Sequence, residues 1–268
     1  MKETLKIEHG LVYLVGAGPG DPELLTVRAV KLLNEADVVV YDRLISPAVM
    51  ELVPKGCAKI YAGKASGRHH LAQDEINELL ARLARPGRLV VRLKGGDPHI
   101  FGRGSEEAEY LAERGIACEV VPGVTAASGC TAALGFPLTH RGYATGVRFV
   151  TGHCRSGVDL DLNWASLADP DTTLVVYMGL TNLKQIATKL TEAGLPASIP
   201  VAAIASGTMP EQKVCYATLG TIEARVAEAG LTAPVLTVIG RVVALAGLLS
   251  GGEAQETGDD PDRRTIGA

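Results

Sequence analysis

Lys94-Gly-Gly-Asp-Pro-His-Ile-Phe-Gly-Arg-Gly-Ser-Glu-Glu107 is the stretch from which the rest of the chain is read. It follows Arg88-Leu-Val-Val-Arg-Leu93, an apolar run of strand length. It runs into Glu106 to Glu113, where the pattern predicts a helix. A plain connection needs few glycines and few charges, and this one is rich in both. In open α/β sheets ligands lie beyond the carboxyl ends of strands. Glycines there let backbone approach a ligand closely.

The chain repeats the device on either side. Leu11–Val15 reads as a strand ending at Gly16-Ala-Gly-Pro-Gly-Asp21, with a helix expected next, Asp21 at its N-cap and Pro22 at its first position. Asp37–Tyr41 is a second strand, ending at Asp42-Arg43. Ala58–Tyr61 is a third, followed by Gly63-Lys64 and an amphipathic helix over Gln73–Ala84. Residues 89–93 and Ile116–Val121 complete five strands, and Pro122 to Leu134 reads as a turn into a helix of small residues. Residues 135–146 have the composition of a linker. Five more strands are expected at Val147–Thr151, Thr173–Met178, Val201–Ala205, Lys213–Thr218 and Val235–Ile239, with helices near 181–193 and 221–229. The fold class is therefore α/β: an N-terminal domain (1–134), a linker (135–146), a C-terminal domain (147–249) and a disordered tail (250–268).

Composition agrees. In 268 residues, 47% are hydrophobic and 4% aromatic, as suits aliphatic strands with helical cover. A net charge of -4 gives no basic footprint for nucleic acid, so an anionic ligand must be met by locally placed arginines. Five widely spaced cysteines form neither a disulfide framework nor a metal pattern, and a reducing cytoplasm with no metal is expected. No apolar run has membrane-spanning length, and residues 1–9 lack a signal peptide's apolar core.

Gly16-x-Gly18, with Asp42 ending the next strand, imitates a dinucleotide fingerprint, but its third glycine would fall on Asp21. A carboxylate there takes the N–H groups a pyrophosphate needs and repels it. The Walker pattern is absent. The loop suits a nucleoside-like ligand without phosphates, ideally a cation.

Six motifs in order then carry a resemblance: Val15-Gly-Ala-Gly-Pro-Gly-Asp-Pro22, Val40-Tyr-Asp-Arg-Leu44, Gly63-Lys64 with Gln73-Asp-Glu-Ile-Asn77, Arg92 to Glu107, Val121-Pro-Gly-Val-Thr-Ala-Ala127 and Pro137-Leu-Thr-His-Arg-Gly142. Over about residues 11–245 the chain resembles the tetrapyrrole methylases, and within them those acting on uroporphyrinogen III. The resemblance implies two α/β domains with a cleft between them, a homodimer, and S-adenosyl-methionine (SAM) as methyl donor. It implies methylation of uroporphyrinogen III at C2 and C7, giving precorrin-2 and S-adenosyl-homocysteine. It implies cofactor contacts from Pro19, Gly95, Gly96, Asp97, Ile100, Thr125, Ala126, Met178 and Gly207. It also implies Asp42 as proton acceptor and Lys64 as proton donor; Ala65 stands where many relatives carry Arg.

Arg43, Arg103 and Arg141, in turn-flanked loops, are expected to grip the substrate's carboxylates, with His153 a further candidate. Arg103 belongs to the catalytic set with Glu106, which orients it or acts as a second acid–base group. Some relatives are fused to a dehydrogenase-ferrochelatase module; with ten residues before the first strand, a stand-alone methyltransferase is expected. The alternatives are another tetrapyrrole or corrinoid methylase of the same fold, a non-catalytic tetrapyrrole-binding relative, and a dinucleotide-dependent reductase.

Overall fold

A computed structural model describes residues 10–63, 72–153 and 160–247. Lys64, Ala65, Cys154 and the expected tail over 250–268 lie outside the described residues. The chain divides into two compact units, Met1–Gly129 and Cys130–Ala268, a division that comes ahead of the 135–146 segment.

The first unit holds β1 (Leu11–Gly16), β2 (Val38–Tyr41), β3 (Ala58–Tyr61), β4 (Leu89–Lys94) and β5 (Ala117–Val121). They form a parallel sheet in the order β3-β2-β4-β1-β5. A parallel sheet is covered on both faces, which is why its strands read as continuous apolar runs. Val15, Val39, Val91 and Leu93 pack on one side with Leu33 of α1 (Val27–Glu35) and Val49 of α2 (Pro47–Glu51). Val12, Leu14, Val38, Val40 and Val90 pack on the other, with Ile76 and Leu80 of α3 (Gln73–Leu83) and Leu111 of α4 (Gly104–Ala112). Side chains alternate along a strand. Arg92 and Lys94 therefore share the α3/α4 side with Val90, inside the unit.

The first helix differs from expectation. Asp21 caps only a 3₁₀ turn, Pro22–Leu24, by accepting the Glu23 N–H at 2.8 Å. The α-helix starts afresh at Val27, where the Thr26 hydroxyl accepts the Ala29 N–H at 3.1 Å. The competing N-cap at Thr26 decides the break. Ser46 caps α2 and donates to the Gly20 carbonyl at 2.6 Å, tying the loop after β2 to the loop after β1. The helix of small residues is α5 (Ala126–Ala133).

The second unit holds β6 (Gly146–Thr151), β7 (Thr172–Tyr177), β8 (Pro200–Ala205), β9 (Lys213–Thr218) and β10 (Val235–Ile239) in the order β6-β7-β10-β8-β9. Only β6 and β7 run parallel. Leu174, Val176, Val201 and Ala203 meet Leu167 of α6 (Trp164–Leu167), Leu183, Ile186 and Leu190 of α7 (Leu183–Glu192), and Ile222 and Val226 of α8 (Ile222–Glu228). The two five-stranded sheets with helices are the α/β class expected.

Gly16, Gly96 and Gly123 come together at the carboxyl end of the first sheet. A Cβ on Gly16 would stand 2.5 Å from the Gly123 nitrogen, and one on Gly123 would stand 2.8 Å from Gly16 Cα. Both neighbours are backbone and cannot swing aside. Gly123→Ala is therefore expected to cost about 1–3 kcal/mol of stability. A urea midpoint equal to that of the parent chain would count against this packing.

Candidate active site

The loops beyond β1, β4 and β5 are joined through backbone. Gly18 and Gly96 exchange N–H···O bonds of 3.2 and 2.7 Å, and Ala17 donates to the Lys94 carbonyl at 2.8 Å. Asp97 then works as a staple. One carboxylate oxygen accepts the His99 N–H at 2.8 Å and the other the Gly123 N–H at 3.1 Å. Ile100 follows, donating to the Asp97 carbonyl at 3.2 Å. Pro19 lies against α5, where a Cβ on Gly129 would meet Pro19 Cγ at 2.5 Å.

Gly96 has φ 67°, and a Cβ there would project toward Ala126 N and Thr125 Cα at 3.9 and 4.0 Å. The nearest neighbours of that position are therefore backbone atoms of the loop after β5. Pro19, Gly95, Gly96, Asp97, Ile100, Thr125 and Ala126 are thus gathered in one loop cluster at the carboxyl ends of β1, β4 and β5.

Gly95 links that cluster to the loop after β2, since a Cβ on it would strike Leu44 Cβ at 2.8 Å. Here lies Asp42. Its Oδ1 accepts the Leu44 N–H at 3.0 Å and its Oδ2 accepts from Arg92 Nη2 at 3.2 Å. The side chain keeps 25% exposure, so it is held and still reachable. Arg43 is exposed, and Gly63 packs against its backbone nitrogen.

Arg103 and Glu106 also meet. The guanidinium donates from Nε and Nη2 to the two carboxylate oxygens at 2.8 and 2.6 Å, an exposed fork. The hydrogen bond from Arg103 holds the Glu106 carboxyl below its ordinary range, and the same bond raises Arg103. Phe101 and Arg103 adopt φ of 53° and 58°. Left-handed non-glycine residues cost on the order of 1–3 kcal/mol each and gather at functional loops.

The second unit shows the same signature. Met178, Ser206 and Thr208 have φ of 54°, 48° and 66°, the last two flanking Gly207. Thr151 pairs with Tyr177, Tyr177 with Leu236, and Val235 with Ala205, so His153, Met178 and Gly207 follow strands ending at one end of this sheet. Arg141 is not with them. It sits on a turn closed by the His140–Ala144 bridge, before β6 begins, whereas His153 follows its end.

Glu107, Arg92 and Lys94, absent from the sequence-derived set, form a buried ion cluster that reaches Asp42 through Arg92. Glu107 is fully buried and accepts from both cations. The available signal was two basic residues, two apart, inside an apolar strand.

The family model for tetrapyrrole (corrin/porphyrin) methylases matches residues 11–223. The chain belongs to the tetrapyrrole methylases. It is 54% identical over 250 residues to a siroheme synthase of Azotobacter vinelandii, an alignment covering 93% of this chain and 54% of that one. It is 53% identical to a uroporphyrinogen-III C-methyltransferase of Paracoccus denitrificans, covering 90% and 84%. A uroporphyrin-III C-methyl transferase of Thermus thermophilus, complexed with S-adenyl homocysteine, superposes with a TM-score of 0.74 at 41% identity, covering 88% and 94%. The chain spans about half the length of the siroheme synthases it matches.

Gly207 lies so close to Cys130 that a Cβ would overlap the thiol sulfur. Burial pushes the Cys130 thiol up to about 12. Only roughly one thiol in ten thousand is then ionised at pH 8, and the thiolate is the nucleophile. Iodoacetamide at pH 8 is expected to leave Cys130 unmodified in the native chain and to label it after denaturation, as read by peptide mass. Native labelling at the denatured rate would contradict that burial.

Proposed function

We propose that the chain is a SAM-dependent C-methyltransferase that methylates uroporphyrinogen III at C2 and C7, giving precorrin-2 and S-adenosyl-homocysteine. The observation that carries the reading is Asp42, a carboxylate fixed by Leu44 N–H and Arg92 but still part-exposed, next to the Gly95-Gly96-Asp97 turn. The names of the Paracoccus and Thermus relatives support it.

SAM supplies an electrophilic methyl group on a sulfonium. The loops fit it in two respects. Gly95 and Gly96 bring bare backbone to the loop cluster, and Asp21 occupies the Glu23 N–H where a phosphate would otherwise bind. Pro19, Gly95, Gly96, Asp97, Ile100, Thr125 and Ala126, gathered in the first unit, would hold it.

The electron-rich pyrrole carbon is the nucleophile. Positioning donor and acceptor is the largest contribution, with roughly 7–11 kcal/mol available from it. Asp42 takes the proton displaced at the methylated ring system, and Lys64 returns one. Arg43 and Arg103, both exposed, bind substrate carboxylates. Because Arg103 keeps Glu106 ionised, Glu106 serves as the orienting partner of that fork at neutral pH and not as an acid. The same reading includes a homodimer in the cytoplasm. No helix of the described residues is long and apolar enough to cross a membrane.

Anaerobic incubation with SAM and uroporphyrinogen III is expected to add two methyl groups to the tetrapyrrole by mass. Addition of none, with SAM bound, would move the activity to another acceptor. Asp42→Asn is expected to slow turnover by about two to four orders of magnitude while SAM binding persists. Arg103→Ala should weaken tetrapyrrole binding more than SAM binding in separate titrations; equal losses would remove Arg103 from the substrate site.

A further inference from the structure

Behind Asp42 lies an array of charge that the proton chemistry above leaves unused. Arg92 is 3% exposed, Lys94 4% and Glu107 0%. Lys94 Nζ donates to both Glu107 oxygens at 2.9 Å, and Arg92 Nε donates to Glu107 Oε1 at 3.1 Å. Gln73 of α3 adds a donor to the same oxygen at 3.2 Å. Arg92 Nη1 is engaged by the carbonyls of Leu93 and Val40 at 3.2 and 3.5 Å. The guanidinium cannot swing, and its Nη2 is left pointing at Asp42.

We propose that Glu107, Arg92 and Lys94 are positioning residues for Asp42: a buried array that fixes its carboxylate and balances its charge. The inference rests on the reading of Asp42 as proton acceptor. Two cations, Arg92 and Lys94, stand against two carboxylates, Glu107 and Asp42. Buried charge is tolerated when it is paired. Once Asp42 holds a proton, the array carries one excess cation, which favours release of that proton before the next turnover.

The groups around the array agree. Burial lowers the Lys94 ammonium, Arg92 lowers it further, and Glu107 and Asp42 oppose them. Cys118 of β5, the thiol facing the array, is raised to about 11, by burial first and then by Glu107. From α3, Gln73 bonds both Glu107 and Asn77, neutral amides among the described residues.

The test uses near-isosteric charge changes and the acid limb of the pH–rate profile for single-turnover methyl transfer at saturating SAM and tetrapyrrole. Glu107→Gln leaves an excess cation and should move the limb to lower pH by about one unit. Lys94→Met leaves an excess anion and should move it to higher pH by a similar amount. The double variant keeps Arg92 against Asp42 alone and should return the limb toward its original position. SAM affinity, within about threefold throughout, reports the fold.

If Glu107→Gln does not fold, Lys94→Met and the double variant carry the comparison. A scaffold role alone would slow all variants without separating their limbs, the double most of all, and that result overturns the inference. Asp42→Asn run alongside separates the two levels. If it turns over normally, the reading of Asp42 and this inference fall together. If it is slow while the limbs coincide, only the inference falls.

Discussion

Much of the first unit depends on a close approach of backbone at Gly16, Gly96 and Gly123, which brings the loops beyond β1, β4 and β5 to within van der Waals distance. No side chain fits between them, so the loops are held by peptide groups and by the Asp97 carboxylate, whose two oxygens take N–H groups from two of the loops. A carboxylate accepting backbone N–H groups makes charge-assisted bonds, stronger than neutral ones. It also removes donors that would attract an anion. The same construction that stiffens the loops therefore shapes their chemistry toward a ligand gripped by backbone and not by its charge.

The second constraint is electrostatic. Placing Arg92 and Lys94 on the inner face of β4 carries a desolvation penalty of several kcal/mol per ion, on the order expected for buried charges. An apolar pair of similar volume would stabilise the sheet as well or better. Glu107 offsets the penalty from the first turn of α4, so the helix is anchored to the sheet by ions at one end and by Leu111 at the other. Stability alone does not account for such an arrangement. Its outlet, Arg92 Nη2 on Asp42, does.

The strands were legible because aliphatic runs of strand length end in Gly, Asp or Pro, and all ten lie within a residue or two of their expected places. The short helices α2 and α6 were not, since four or five residues carry no helical period. The first helix begins later than Asp21-Pro22 signals, because Thr26 is a second cap that competes with that start. At the site, the adjacent pair Glu106-Glu107 hid the essential distinction. Neighbours on a helix point about 100° apart, so one joins Arg103 at the surface and the other enters the core. Sequence order shows that two acids are present; only packing against β4 shows which of them is inside.

The register of β1 has a consequence for how the chain is made. Leu11 pairs with Leu89 on one side and with Ala117 on the other, so this inner strand has no neighbour until α1, β2, α2, β3 and α3 have all left the ribosome. A nascent chain thus carries a valine- and leucine-rich segment with both edges open through most of the synthesis of its domain, the condition in which unpaired strands invite association with other chains. Closure by β4 and then β5 is a non-local event and so a slow one. The glycine-lined loops at the end of β1 therefore take shape last, together, when the final strand arrives.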